Sequence, residues 1–159
     1  MAENRIEIKP YEYMSHFMDK AALMVSVDKN GKPNVMALLW KTIGQLWMIP
    51  VITVAVAPSR YTFECLTKGI KEFTINIPSS KIEDAINVTG TISGRDSDKF
   101  KEAGLIPIKG KKTKVPTIKD CLLSYECKIV HDCDSGKMAS HRIFIGQILT
   151  AYASNEIIG

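Results

Sequence analysis

The feature that most constrains this chain is a succession of short β-branched and apolar runs, each cut off by a turn signal and without regular alternation with helices. Ala22 to Val27 reads as a strand, Lys29-Asn30-Gly31-Lys32 carries the Asn-Gly signal of a tight hairpin, and Asn34 to Trp40 reads as the returning strand. A turn at Thr42 to Gln45 leads to a short strand, Leu46-Trp47-Met48-Ile49, which Pro50 separates from the run Ile52 to Val56. Glu72 to Ile77 alternates Phe73, Ile75 and Ile77 with Glu72, Thr74 and Asn76, the pattern of a half-buried strand that Pro78 ends. Leu122 to Val130 alternates in the same way, and Asp134-Ser135-Gly136 turns the chain into a last long strand from Arg142 to Ala151. About seven strands joined like this predict a mainly β fold with short helices, an antiparallel barrel formed by residues 1–159 as one domain.

The helices expected are connectors. Met14, Phe17 and Met18 share one face of a helix within Tyr11 to Lys20. Lys81 to Val88 is a second candidate, and Asp96 or Ser97 can cap a third through Asp98 to Ala103, closed by Gly104. Neither a Gly-x-Gly-x-x-Gly sequence nor a P-loop is present, so a nucleotide would have to be held by other means.

One stretch suggests such means. After Ile52 to Val56, Pro58 stops the strand, Ser59 is a good N-cap, and Tyr61 to Lys68 can run as a helix to Gly69, placing Arg60, Tyr61 and Thr62 in its first turn. A helix start offers unpaired N–H groups and a partial positive charge. Arg60 adds a forked cation, and Ser59 and Thr62 add hydroxyls, a combination suited to a phosphomonoester. The same residues also fit an ordinary capped surface helix whose arginine is solvated.

Charge narrows the partners. A net +4, from 21 basic and 17 acidic residues, is too mild and dispersed to argue for nucleic acid. The basic cluster Lys109, Lys111, Lys112 and Lys114 lies between Pro107 and Pro116 and reads as an exposed loop, with guidance of an anionic substrate or redox partner as the functional alternative. The N-terminus lacks a signal pattern, and the run Val51 to Ala57 is too short for a bilayer, so a cytoplasmic protein without membrane contact is expected. Cys65, Cys121, Cys127 and Cys133 form no Cys-x-x-Cys pair, and their spacing with His131 matches no compact zinc pattern; reduced structural thiols and no metal are expected.

Several separated stretches, taken in order, resemble the flavin reductase-like, FMN-binding split-barrel family, in its flavoredoxin-like branch. They are Asn34-Val35-Met36 with Trp40, Pro58-Ser59-Arg60-Tyr61-Thr62, Glu72-Phe73 with Asn76 and Pro78, Ser93-Gly94-Arg95-Asp96 with Asp98-Lys99-Phe100, Glu126-Cys127, and His141-Arg142-Ile143-Phe144-Ile145-Gly146. The resemblance implies a Greek-key split barrel that forms a homodimer, with FMN at or near the subunit interface. It assigns the phosphate and ribityl chain to Ser59, Arg60 and Thr62. It makes Met36, Ala37, Leu38, Leu39 and Trp40 the strand lining the flavin, and it places Ser93, Gly94, Arg95 and Lys99 near the flavin or in the loop over it. His141 matches a histidine that can approach the flavin or substrate. The family often carries a hydroxyl residue where this chain has Ala37, a departure that leaves Lys41, Thr42 or Arg60 to supply the missing donor.

The activity implied is NAD(P)H-dependent flavin reduction, with NADH or NADPH as electron donor. The alternatives are a flavoredoxin-like FMN electron carrier reduced by a protein partner and a split-barrel binding module without catalysis.

Overall fold

Ten strands and four α-helices make up the described residues, 4–158, of the computed structural model. In chain order these are β1 (Arg5–Ile8), α1 (Met14–Met18), β2 (Ala22–Val27), β3 (Pro33–Leu38), β4 (Lys41–Leu46), β5 (Ile49–Val56), α2 (Tyr61–Lys68) and β6 (Glu72–Pro78). A 3-10 turn at Ser80–Ile82 follows, then α3 (Ala85–Thr91), α4 (Lys99–Glu102), β7 (Pro107–Ile108), β8 (Thr117–Ile118), β9 (Cys121–Asp134) and β10 (Arg142–Ser154). The main sheet runs β3-β2-β6-β9-β10-β5-β4, every pair antiparallel. β10 is long enough to serve two neighbours, pairing its first half with β5 and its second half with β1. This is an antiparallel split barrel, and its non-sequential strand order supplies the crossovers of a Greek key.

Period-2 alternation sets what each strand buries. Inside the barrel, Met24, Leu38, Ile52, Val54, Phe73, Ile75, Tyr125 and Phe144 form one core, closed by Phe17 of α1, whose ring meets Tyr125 edge-on at 5.6 Å. Leu23, Val25, Val27 and Val35 point outward into a second core under Ala85, Phe100, Leu105, Val115 and Ile118. β2 is therefore buried on both faces. So is β6, which the alternation alone makes half-exposed. Thr74 donates to the Pro116 carbonyl, while Asn76 donates to the Leu23 carbonyl and accepts from Ile118 N–H and Ser124, so its polar face is buried with partners. At Gly146 an added Cβ would fall 2.4 Å from the Phe73 ring, so the close approach of β10 to that ring requires glycine.

The hairpin after β3 differs from expectation. Thr42 to Gln45 is strand, not turn, and the turn falls at Trp47 and Met48, whose φ angles are 50° and 63°. Two positive φ values are what a two-residue hairpin turn of this hand requires. They are occupied here by bulky residues instead of Asn-Gly, so no turn signal is written in the sequence. Pro50 lies inside β5, opposite Gln45 of β4 and beyond the reach of β10, where a missing N–H is tolerated. The expected helix at 81–88 is displaced to α3. The third helix is capped by Asp98, which accepts from Lys101 N–H, in place of Asp96 or Ser97, and it is followed by Gly104 at φ 65°.

The lysine loop is fixed by its backbone. Glu126, fully buried, accepts from the N–H groups of Lys111, Lys112 and Thr113, from the Thr113 hydroxyl and from the Tyr152 hydroxyl. Lys114 N–H donates to Glu72, and the side chains of Lys109, Lys111, Lys112 and Lys114 are exposed. Among the described residues, no helix is long and apolar enough to cross a membrane.

Candidate functional site

The end of β5, the start of α2, the end of α3 and the turn before α4 converge on β3, and two adjoining cavities lie between them. The first, 210 Å³, runs along Ser59 to Thr62 on one wall and Gly90 to Gly94 on the other, with Met36 and Lys99 also lining it. The second, 120 Å³, follows Met36 to Trp40 and Ala55 to Ala57 and is closed by His141. Met36 and Arg60 belong to both, so the two form one trough with a polar end and an apolar end. A larger cavity of 370 Å³ between Arg5, Lys81, Pro107 and Lys119 to Cys121 contains none of the candidate cofactor-binding residues read from the sequence.

At the polar end Arg60, not Ser59, occupies the N-cap position of α2. Its backbone is extended at φ −79°, ψ 142°, and no side chain caps the helix. The start of α2 thus leaves the N–H groups of Tyr61 and Thr62 without an intrahelical acceptor. Among the described residues the Arg60 guanidinium has no hydrogen-bond or ion-pair partner. Lys99 lies beside it, 5% exposed, with its ammonium donating to the Thr89 carbonyl at 2.8 Å. Burial, with the neighbouring Arg60 charge adding to it, pulls the Lys99 pKa down to about 8. Thr62 is buried and accepts from the Asn34 amide at 3.2 Å, which leaves its own hydroxyl hydrogen free to donate. Two cations, three hydroxyls from Ser59, Thr62 and Ser93, and a helix start with no carboxylate lining the cavity suit a phosphate monoester.

At the apolar end Met36 and Leu38 are buried and Ala37 is half-buried, while Leu39 and Trp40 stand 66% and 61% exposed, because β3 ends at Leu38. Trp40 therefore does not continue the buried face of Met36 and Leu38. Its carbonyl accepts from Ala55 N–H, which fixes the chain across the trough. His141, half-buried, lines this end together with Arg60. An apolar slot walled by Met36, Leu38, Leu39 and Trp40 thus adjoins the polar end.

Two residues of the set point elsewhere. The Lys41 ammonium donates to the Phe17 carbonyl at 2.5 Å and lies 4.2 Å from the centre of the Phe17 ring, burial lowering its pKa; it lines neither cavity and does not replace the donor absent at Ala37. Arg95 also stays out of both cavities and forms no pair with Asp98, which caps α4 instead. Gly90, Thr91 and Ile92 of the α3 end line the polar cavity without having been identified in the sequence. An added Cβ at Gly90 would sit 3.4 Å from the Ala37 Cβ, an ordinary contact, so the glycine there gave no signal of the site. Asn34 was likewise missed as the residue that orients Thr62.

Comparison with known proteins identifies the family and the fold. Residues 14–158 match the flavin reductase like domain. An uncharacterized protein of Archaeoglobus fulgidus is 34% identical over 74% of this chain, which spans only 64% of that relative's length. The flavoredoxin of Desulfovibrio vulgaris (Miyazaki F) superposes with a TM-score of 0.75 at 28% identity, covering 86% of this chain and 70% of the flavoredoxin. The FMN-binding domain of a flavin reductase-like enzyme from Shewanella baltica superposes over 99% of this chain and 81% of its own, with a TM-score of 0.82 at 19% identity, a likeness of fold.

Proposed function

The chain belongs to the flavin reductase like domain family, and on that premise we propose that it is an FMN-binding flavoprotein acting as an NAD(P)H-dependent flavin reductase, with two copies forming a homodimer. The observation that carries this reading is the unpartnered Arg60 guanidinium beside buried Lys99, at the joint between a phosphate-sized polar cavity and the slot lined by Met36, Ala37, Leu38, Leu39 and Trp40.

Arg60 and Lys99 would hold the phosphate, with Ser59, Thr62 and Ser93 donating to its oxygens. Leu38, Leu39 and Trp40 would cover the ring system and keep water from it, and the backbone from Ala37 to Trp40 would meet its polar edge. When bound, the flavin supplies the two-electron redox chemistry. His141 lines the apolar end, where its imidazole would lie beside the ring.

The test is the absorbance of purified protein with added FMN, before and after anaerobic NADH or NADPH. The reading expects a bound-flavin spectrum that bleaches with at least one of the two. A flavin that binds but bleaches with neither would leave the second reading, a flavoredoxin-like carrier reduced by a protein, which the 28% identity to flavoredoxin and the exposed Lys109 to Lys114 loop favour. Failure to bind FMN at all would refute both.

A further inference from the structure

We propose that Arg95 is a positioning residue that latches the two walls of the polar cavity together and thereby sets how long a phosphate-bearing ligand stays. For the identity of that ligand this rests on the FMN reading above. One wall is the start of α2 and the other is the turn after α3. Arg95 belongs to the second wall and reaches the first in three ways. Its guanidinium donates to the Ser59 carbonyl at 3.2 Å, pairs with Glu64 at 3.4 Å, and lies 5.4 Å from the centre of the Tyr61 ring.

The turn that carries it is internally braced. Arg95 N–H donates to the Ser93 hydroxyl, and the N–H groups of Asp96 and Ser97 donate to the Ser93 carbonyl, so the guanidinium, Ser93 and Gly94 move as a unit. Gly94 is the pivot. An added Cβ would fall 1.9 Å from Asn34 Oδ1 and 2.8 Å from the Tyr61 ring, so the turn packs its bare backbone against the side chains of Asn34 on β3 and Tyr61 on α2. With the inner contact made by a glycine, the outer clasp falls to Arg95. Because its donors are already engaged outside the cavity, Arg95 controls the opening without being a ligand to the anion.

Each of the three contacts is weak at a surface, so the latch opens readily and its loss shows in rates. In Arg95→Ala the FMN dissociation rate, followed by recovery of flavin fluorescence after dilution, should rise roughly 5–30-fold, as expected for losing a few weak contacts together. Association should stay within about twofold and the melting midpoint should hold, since a steered encounter and the core do not depend on the clasp. Arg95→Lys should recover only part of the slow dissociation, lacking the fork that meets Ser59 and Glu64 at once. Glu64→Gln, which removes the Arg95 ion pair together with the exposed i,i+4 pair to Lys68, gives a milder version if Arg95→Ala folds poorly, and Lys68→Gln controls for the second pair.

Hydrogen exchange on the ligand-free protein reads the latch without FMN. Ser59–Phe63 and Ile92–Ser97 should both exchange faster in Arg95→Ala, with β9 unchanged. Unchanged exchange in either segment, or an unchanged FMN dissociation rate, overturns the proposal. Wild-type protein that fails to bind FMN would sink the flavoprotein reading, while the exchange comparison would still decide the latch.

Discussion

Lys99 and Arg60 carry like charge along one cavity, an arrangement that costs free energy in the empty protein and is relieved when an anion enters. The sign of the pH effect follows. The folded-state pKa of Lys99, about 8, lies below the ordinary lysine value, so the ammonium is destabilised by folding. That penalty is fully present below pH 8 and fades as the pH rises toward the ordinary value. A bound phosphate favours the ammonium, and the monoester is doubly charged only above about pH 6. FMN affinity measured by fluorescence titration should therefore plateau between these limits and fall above pH 8. Lys99→Met should flatten the upper limb and weaken binding at pH 7 by about 1.5–3 kcal/mol. An unaltered pH profile in that variant would remove Lys99 from the site. Arg60→Ala should weaken FMN binding by a similar amount, about 1.5–3 kcal/mol, with little effect on melting, since no protein partner among the described residues is lost. These residues could be read from the sequence because Ser59 to Thr62 and Ser93 to Lys99 are short contiguous motifs. The aims of Lys41 and Arg95 could not. Both are long side chains whose partners, the Phe17 carbonyl and the Ser59–Glu64 corner, are brought to them only by tertiary packing.

At the scale of elements, period-2 alternation located β6 and β9, and apolar runs bounded by turn signals located β2, β3 and β10; each sends apolar side chains into the barrel. It misjudged the other face of β6, since Thr74 and Asn76 look solvent-directed until the segment ending in β8 folds over them and accepts or supplies their hydrogen bonds. The same hidden cover explains the lysine loop, which reads as a solvated connector although its backbone is tied to β9 and β10 through Glu126. The Glu126 carboxylate accepts from five donors, an arrangement that only an acceptor-only group satisfies fully. Glu126→Gln would turn an amide N–H₂ toward those donors, leaving buried N–H groups unsatisfied and costing about 3 kcal/mol or more. The expected result is a lower melting temperature with faster hydrogen exchange across 109–115. Unchanged exchange there would show that the loop is held by other contacts. Glu126→Gln should also leave FMN affinity in the folded fraction intact, because the loop lines neither cavity of the trough.

In the whole molecule β4 ends the sheet opposite β3. An uncovered edge strand is usually guarded by charge, proline or a bulge. β4 has one lysine, which is engaged with Phe17, and its Gly44 carbonyl accepts from the Tyr11 hydroxyl, so the rest of its edge is weakly guarded. Apolar side chains stand out at both of its ends, Leu39 and Trp40 before it and Trp47 and Met48 after it, the last 88% exposed. The hairpin tip holds Trp47 and Met48 at left-handed φ, a conformation that Asn-Gly would adopt at less cost. Retaining two bulky residues there, with Trp47 edge-on to His131 at 6.4 Å, makes sense if they are covered by a second copy of the chain. The turn-compatible double variant Trp47→Asn/Met48→Gly separates the two roles. As a folded monomer it should be more stable, by about 1 kcal/mol, from relief of the backbone strain. If these side chains seal the homodimer, sedimentation equilibrium should give twice the chain mass for the wild type and the single-chain mass for the variant at the same concentration. A variant that remains dimeric would exclude the β4 hairpin as the contact, and a wild type that is monomeric at every concentration would exclude the homodimer itself. Because Leu39 and Trp40 also line the apolar end of the trough, a copy seated on this face would shield the flavin slot, so dissociating the dimer should weaken FMN binding in parallel with the change in mass.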